Sequence, residues 1–220
     1  MAPRSDALLL AITFLAIVTA AAAAGCNGKQ AAEAPAPAPQ PEALKQTARP
    51  EFFGMGGITE KIVYVIDRSG SMTDSIMYVK YELRRSIRML KPNQLFHVVF
   101  YSTGPAVEMP PRKLIPATEA NKLAAYEFID AIVPVGQTDP TEALKAAFRV
   151  KPDIIYFLTD GALDRKIPRL VEKLNADKKV EVHTFCFVYT AGEAVMREIA
   201  EKNGGAYKYI SEDDLESLGR

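Results

Sequence analysis

The chain has 220 residues, and its 27 Lys and Arg are balanced by 27 Asp and Glu. A hydrophobic content of 48% and a charged content of 25% are ordinary for a globular protein and exclude wholesale disorder, collagen-like and coiled-coil architectures. Zero net charge argues against a nucleic-acid partner gripped through phosphates, and two cysteines make neither a disulfide scaffold nor a four-thiolate zinc site. In chain order, residues 1–6 carry one basic residue, Arg4, and an apolar run follows from Ala7 to Ala24, broken only by Thr13 and Thr19. This pattern reads as a secretory signal over residues 1–25. The competing reading is a transmembrane anchor, for which the run is borderline in length.

The run ends in Ala23-Ala24-Gly25-Cys26, which resembles a bacterial lipobox, although Ala23 stands where that pattern usually has leucine. The resemblance implies acylation of Cys26 and a mature N-terminus there. The alternative is an incidental Cys26 and cleavage at a nearby Ala-x-Ala. Residues 26–50 form an Ala- and Pro-rich linker in which Pro35, Pro37, Pro39 and Pro41 alternate with small or polar residues. Such a segment buries little apolar area and acts as a semi-extended spacer, reaching on the order of 70 Å at about 3.1 Å per residue. The localisation expected from these features is the cell envelope, as an exported lipoprotein held at a membrane by its lipid; a secreted or periplasmic protein is the alternative.

Residues 51–220 read as one domain. Strands are expected at 62–66, 95–101, 106–109, 154–159, 182–188 and 207–210. Helices are expected at 76–90, 119–132, 141–149, 166–176 and 192–202, with a short helical tail at 213–218. Apolar strands alternating with helices predict a doubly wound α/β domain: a mostly parallel, six-stranded sheet with helices on both faces. Neither G-x-G-x-x-G nor G-x-x-x-x-G-K-[ST] occurs in the expected places, so dinucleotide and P-loop readings lack their fingerprints.

Open parallel sheets bind ligands at the carboxyl ends of strands, where strand order reverses. In the order 3-2-1-4-5-6, strands 1 and 4 meet at that point. Asp67 ends strand 1 and Asp160 ends strand 4, and Ser69 and Ser71 lie in the turn after Asp67. Two carboxylates and several hydroxyls, without imidazole or thiolate, suit a hard, oxygen-preferring cation such as Mg²⁺.

Asp67-Arg68-Ser69-Gly70-Ser71 matches D-x-S-x-S, Gly136-Gln137-Thr138 precedes Ala143-Leu144, and Thr159-Asp160-Gly161 follows strand 4. In these three elements, over about residues 58–213, the chain resembles von Willebrand factor type A (VWA) domains. The resemblance implies a metal-ion-dependent adhesion site (MIDAS) made of Asp67, Ser69, Ser71, Thr138 and Asp160. It implies Mg²⁺, or Mn²⁺ or Ca²⁺, as the ion, and a protein partner offering an acidic side chain. Asp139 adds a carboxylate beside Thr138 that could reduce the appetite for acidic partners if it points inward.

The plain structural roles of these residues are helix capping for Asp67 and Ser69, a turn at Asp160-Gly161, and backbone bonding by Thr138. His97 and His183 lie in apolar strands and read as core histidines, and Cys186 as a buried small hydrophobe. Arg68 is expected to face solvent, as is the basic face formed around Lys80, Glu82, Arg84, Arg85, Arg88 and Lys91, for which contact with an acidic lipid or partner is the alternative.

The function expected is therefore a membrane-tethered, divalent-metal-dependent protein-binding module and not an enzyme. One alternative is a metal-dependent hydrolase of the aspartate-nucleophile type. That chemistry wants an acid two residues after the nucleophile, where this chain has Ser69, and G-x-S-x-G logic also fails. The other alternative is a structural assembly component with a vestigial metal site.

Overall fold

The computed structural model describes residues 51–56 and 59–218. The expected signal, Cys26 and the whole expected linker lie outside the described residues. Described elements begin with a two-stranded hairpin, β1 (Glu51–Phe52) and β2 (Met55–Gly56). The central sheet follows with β3 (Lys61–Asp67), β4 (Leu95–Tyr101), β5 (Val107–Glu108), β6 (Ile115–Pro116), β7 (Ile154–Thr159), β8 (Glu181–Phe187) and β9 (Tyr207–Ile210). The helices are α1 (Ile76–Met89), α2 (Glu119–Asp130), α3 (Thr141–Arg149), α4 (Lys166–Leu174), α5 (Glu193–Lys202) and α6 (Glu212–Leu218).

Strand order is β5-β4-β3-β7-β8-β9, the expected 3-2-1-4-5-6, and the pairings among β4, β3, β7, β8 and β9 are parallel. Both short partners of β4 are antiparallel: β5 was expected as a strand, whereas β6, through Leu95↔Pro116 and Phe96↔Ile115, was not. The sheet therefore has seven strands among the described residues rather than six. Pro116 is tolerated because β6 forms only a two-residue edge pairing.

Alternation along β3 explains the two layers. Ile62, Tyr64 and Ile66 point to one face, where they meet Val79, Leu83 and Ile87 of α1 and Ala125 and Ile129 of α2. Val63 and Val65 point to the other, with Leu144 of α3, Val171 of α4 and Ile199 of α5. All five β3 side chains are fully buried, worth roughly 1.5–3 kcal/mol each. Cys186 is buried on the second face as expected, and burial pushes its thiol up to about 11.

The hairpin closes the first face. Phe52 is fully buried, edge-on to Tyr64 at 5.5 Å and to Phe185 at 5.2 Å between ring centroids. Its turn residues, Phe53 and Gly54, both have positive φ, as a two-residue hairpin of the right twist requires. That conformation strains Phe53, yet its N–H donates to Glu82 at 2.7 Å and its carbonyl accepts from Lys208 at 2.8 Å.

Two residues assigned to the solvated face of α1 are buried instead. Glu82 is fully buried because it holds the Phe53 N–H and two guanidinium nitrogens of Arg85, at 2.6 and 2.9 Å. The Lys80 ammonium donates to the carbonyls of Asp130 and Ile132, at 3.0 and 2.6 Å, and so ties α1 to the end of α2. Arg68 also departs from its expected place. It is half-buried, and one guanidinium nitrogen donates to the Val133 carbonyl at 3.0 Å.

Candidate metal site at the strand ends

β3 and β7 are parallel neighbours, with Ile66 opposite Leu158, so their carboxyl ends open into the same crevice. Asp67 is the last residue of β3 and is fully buried; Asp160 follows β7 and is 2% exposed. The chain turns sharply after Asp67. The Asp67 carboxylate accepts from the Ser69 N–H at 2.8 Å, and a 3-10 turn over Gly70–Asp74 leads into α1.

A third segment is pinned against this turn by backbone bonds. Gly70 N–H donates to the Gly136 carbonyl at 2.9 Å, and Val135 N–H to the Arg68 carbonyl at 2.8 Å. Thr103 adds a second clamp: its hydroxyl accepts from the Gln137 N–H at 2.8 Å. Gly136 adopts φ +79°, a conformation that favours glycine, and this turn delivers Thr138 to the crevice.

All five sequence-predicted residues therefore meet. The Thr138 hydroxyl donates to Ser69 Oγ at 3.2 Å, Ser69 and Ser71 hydroxyls are 3.0 Å apart, and Ser71 donates to Asp160 Oδ1 at 2.8 Å. Asp160 Oδ2 is buried without a hydrogen-bond partner among the described residues. A buried, unpartnered carboxylate oxygen is costly unless something positive satisfies it. Burial pushes the Asp67 carboxyl from its ordinary 3.8 to about 6, against the hydrogen bonds of Ser69 and Thr159, and raises Asp160 as well. Among the described residues no three His, Cys, Asp or Glu side chains cluster as a metal site. Two carboxylates and three neutral hydroxyls form the donor set here, which fits an oxygen-preferring cation such as Mg²⁺ rather than a soft metal.

Sequence reasoning assigned no role to Thr159. Its hydroxyl donates to Asp67 Oδ2 at 2.7 Å and accepts from the Gly161 N–H at 3.1 Å, orienting one carboxylate and the turn that carries the other. A hydroxyl next to Asp160 at a strand end was the available signal. Asp139 does not join the five: its carboxylate accepts from the Thr141 N–H at 3.0 Å at the start of α3, and Thr141 holds it below the usual range. The histidines are remote core groups. His97 Nε2 is 3.1 Å from Glu108, its Nδ1 has no partner among the described residues, and His183 Nδ1 accepts from the Ala206 N–H at 3.1 Å.

The geometry agrees with a match along the chain: the family model for the von Willebrand factor type A domain covers residues 60–209. This chain belongs to the VWA family. The VWA domain is similar to part of human inter-alpha-trypsin inhibitor heavy chain H4, at 27% identity over 190 residues, or 76% of this chain and 20% of that protein. It shares its fold with a von Willebrand factor type A protein from Catenulispora acidiphila, with a TM-score of 0.60 and 22% identity over 73% of this chain and 42% of that one. Proximal thread matrix protein 1 from the mussel byssus is another solved neighbour, with a TM-score of 0.57 and 20% identity over 71% of this chain and 43% of that one. The chain thus spans about a fifth of the curated relative and under half of these two structures. VWA domains typically serve protein–protein interaction.

Proposed function

We propose that this VWA domain is a divalent-metal-dependent protein-binding module that recognises an acidic side chain of its partner. The observation that carries the reading is the buried Asp160 Oδ2, which lacks a partner among the described residues while its neighbouring oxygen closes a chain of three hydroxyls. Asp67, Ser69, Ser71, Thr138 and Asp160 would hold Mg²⁺, or Mn²⁺ or Ca²⁺ in its place. A bound ion supplies a concentrated positive charge, and the three hydroxyls leave much of that charge uncompensated for a carboxylate to meet. The protein's own contribution is placement: Thr159 orients Asp67, and the Gly136 turn holds Thr138 against Ser69.

The module is proposed to be non-enzymatic. The position two residues after Asp67, where aspartate-nucleophile chemistry wants an acid, holds Ser69, whose hydroxyl lies within the Thr138–Ser69–Ser71 chain. We further propose export and tethering to an envelope membrane through acylated Cys26, with residues 27–50 as the spacer.

Mg²⁺ titration of the purified protein tests the metal, because a ligand that prefers the folded state raises Tm with concentration. Capture of a partner from envelope extract in Mg²⁺ and its loss in EDTA tests recognition. A Tm that stays constant across the titration would mean a vestigial site, and capture undiminished by EDTA would remove the metal from recognition.

A further inference from the structure

Helices α1 and α2 enclose a groove of about 350 Å³ on their outer side, lined by Met77, Tyr81, Arg84, Arg85, Arg88 and Tyr126. Positions 77, 81, 84, 85 and 88 follow helical spacing, so they form a second stripe on α1, away from the stripe that packs on the sheet. An outward face is normally polar. Here its first half is apolar and open, with Met77 67% and Tyr81 53% exposed, and its second half is cationic.

Two of the three arginines are held in place by carboxylates. One nitrogen of Arg84 donates to both Asp130 oxygens, at 2.9 and 2.8 Å, and its guanidinium carbon lies 5.0 Å from the Tyr126 ring centroid. Arg85 spends two nitrogens on the buried Glu82. Each keeps further N–H groups beyond these bonds. Arg88 is exposed and has no ion pair among the described residues. Counting Lys80, the groove and its supports hold four cations against the carboxylates of Asp130 and Glu82, a surplus of two in a chain whose net charge is zero.

We propose that the α1–α2 groove is a second docking surface, whose occupant is an acidic protein segment carrying an apolar side chain. The apolar side chain lies against Met77 and Tyr81, and its acidic neighbours meet Arg84, Arg85 and Arg88. Guanidiniums already oriented by Asp130 and Glu82 lose little freedom on meeting a carboxylate, and their planar fork matches it. A concave site between two helices fits a chain better than the flat surface of a bilayer. A surplus of two cations is small for holding the phosphates of a nucleic acid. This surface is independent of the proposed metal site, since no metal-site residue lines it.

The test is fluorescence polarisation on the full chain in EDTA, which silences the metal site. The probes are a labelled peptide of alternating Glu and Phe, an all-Glu peptide, a Lys/Phe peptide, and vesicles of phosphatidylcholine with phosphatidylglycerol. The Glu/Phe peptide is expected to bind most tightly, with affinity falling as salt rises. Arg88→Glu should weaken it about tenfold and Tyr81→Ala severalfold. Both side chains are exposed, and circular dichroism verifies that the variants keep their fold. The proposal is overturned if the Glu/Phe peptide does not bind in the millimolar range, if Arg88→Glu leaves its affinity unchanged, or if only the vesicles bind in an Arg88-dependent way.

Discussion

A Cβ placed on Gly161 would lie 2.9 Å from the Thr138 hydroxyl oxygen, closer than side chains normally pack. Thr138 is the residue that links the third segment to the Ser69–Ser71–Asp160 chain. Gly161→Ala therefore forces the hydroxyl to rotate or retreat. Rotation of one threonine costs the fold little, but it removes one oxygen from the donor set. The expected outcome is a Tm in EDTA within about 1 °C of wild type, with the Mg²⁺-dependent rise reduced or absent. A thermal titration of both proteins checks it, and a full Mg²⁺ response in the variant would remove Thr138 from the site.

Asp67 makes the metal-free domain sensitive to pH. Its carboxyl is raised by burial from 3.8 to about 6, which corresponds to about 3 kcal/mol between the two protonation states. A raised folded value means that the folded protein holds the proton more tightly than the unfolded chain. This stabilisation is complete below about 3.8 and is lost as pH rises through about 6. In EDTA, Asp67→Asn should therefore gain stability relative to wild type as pH goes from 5 to 7.5. Denaturant melts at the two pH values measure it. A difference between variant and wild type that does not grow over this range would sink the argument.

Glu82 ties the hairpin to α1. Its two oxygens receive the Phe53 N–H and two nitrogens of Arg85, all within 2.9 Å. Glu82→Ala leaves the Phe53 N–H buried without a partner while Arg85, partly exposed, can turn to water. Breaking a buried pair this way costs about 3 kcal/mol. Hydrogen exchange should speed up first over residues 51–56, because the strained Phe53 turn loses its anchor. Unchanged exchange there, or a loss in stability below about 1 kcal/mol, would contradict the role given to Glu82.

The elements of this fold differ in how far they could be read in advance. The strands β3, β4, β7 and β8 were legible because both of their faces are covered, so their side chains form apolar runs bounded by turn residues. The meeting of the five candidate residues was legible for the same reason: each is a polar group just past such a run or in the loop between two of them. The β1–β2 hairpin was not. Its strands have two residues each, and its turn is Phe53-Gly54 rather than Asn-Gly or Asp-Gly. What stabilises it is the Phe53 N–H bond to a residue 29 positions away. Missing the hairpin also hid the burial of Glu82, since a carboxylate on a helix reads as solvated until its buried donor is known.

Acylation of Cys26 has a direct signature. The mature protein should begin at Cys26 and carry the mass of its lipids. It should partition with membranes, since each buried CH₂ contributes about 0.8 kcal/mol and more than one chain is needed for stable anchoring. Cys26→Ser should block maturation or release the protein from the membrane fraction. Intact mass showing an unmodified Cys26, or cleavage elsewhere, would replace the tethered reading with a secreted one.

The hydroxyls of the site should act as a unit. Thr138 donates to Ser69, Ser69 lies 3.0 Å from Ser71, and Ser71 donates to Asp160, so each hydroxyl depends on its neighbour for orientation. Residues within one such network are non-additive by about 0.5–3 kcal/mol. Ser69→Ala and Thr138→Ala should each weaken Mg²⁺ binding and metal-dependent partner capture. The double variant should lose little beyond the worse single one, because an incomplete donor set no longer competes with water for the ion. Stability in EDTA should change little in all three, since the core lies in the apolar strands below, Ile62 to Ile66 and Ile154 to Leu158. Isothermal titration with Mg²⁺ for wild type, both single variants and the double variant gives the coupling directly. Losses that simply add would mean that the hydroxyls act independently, and Mg²⁺ binding that survives the double change would place the ion elsewhere.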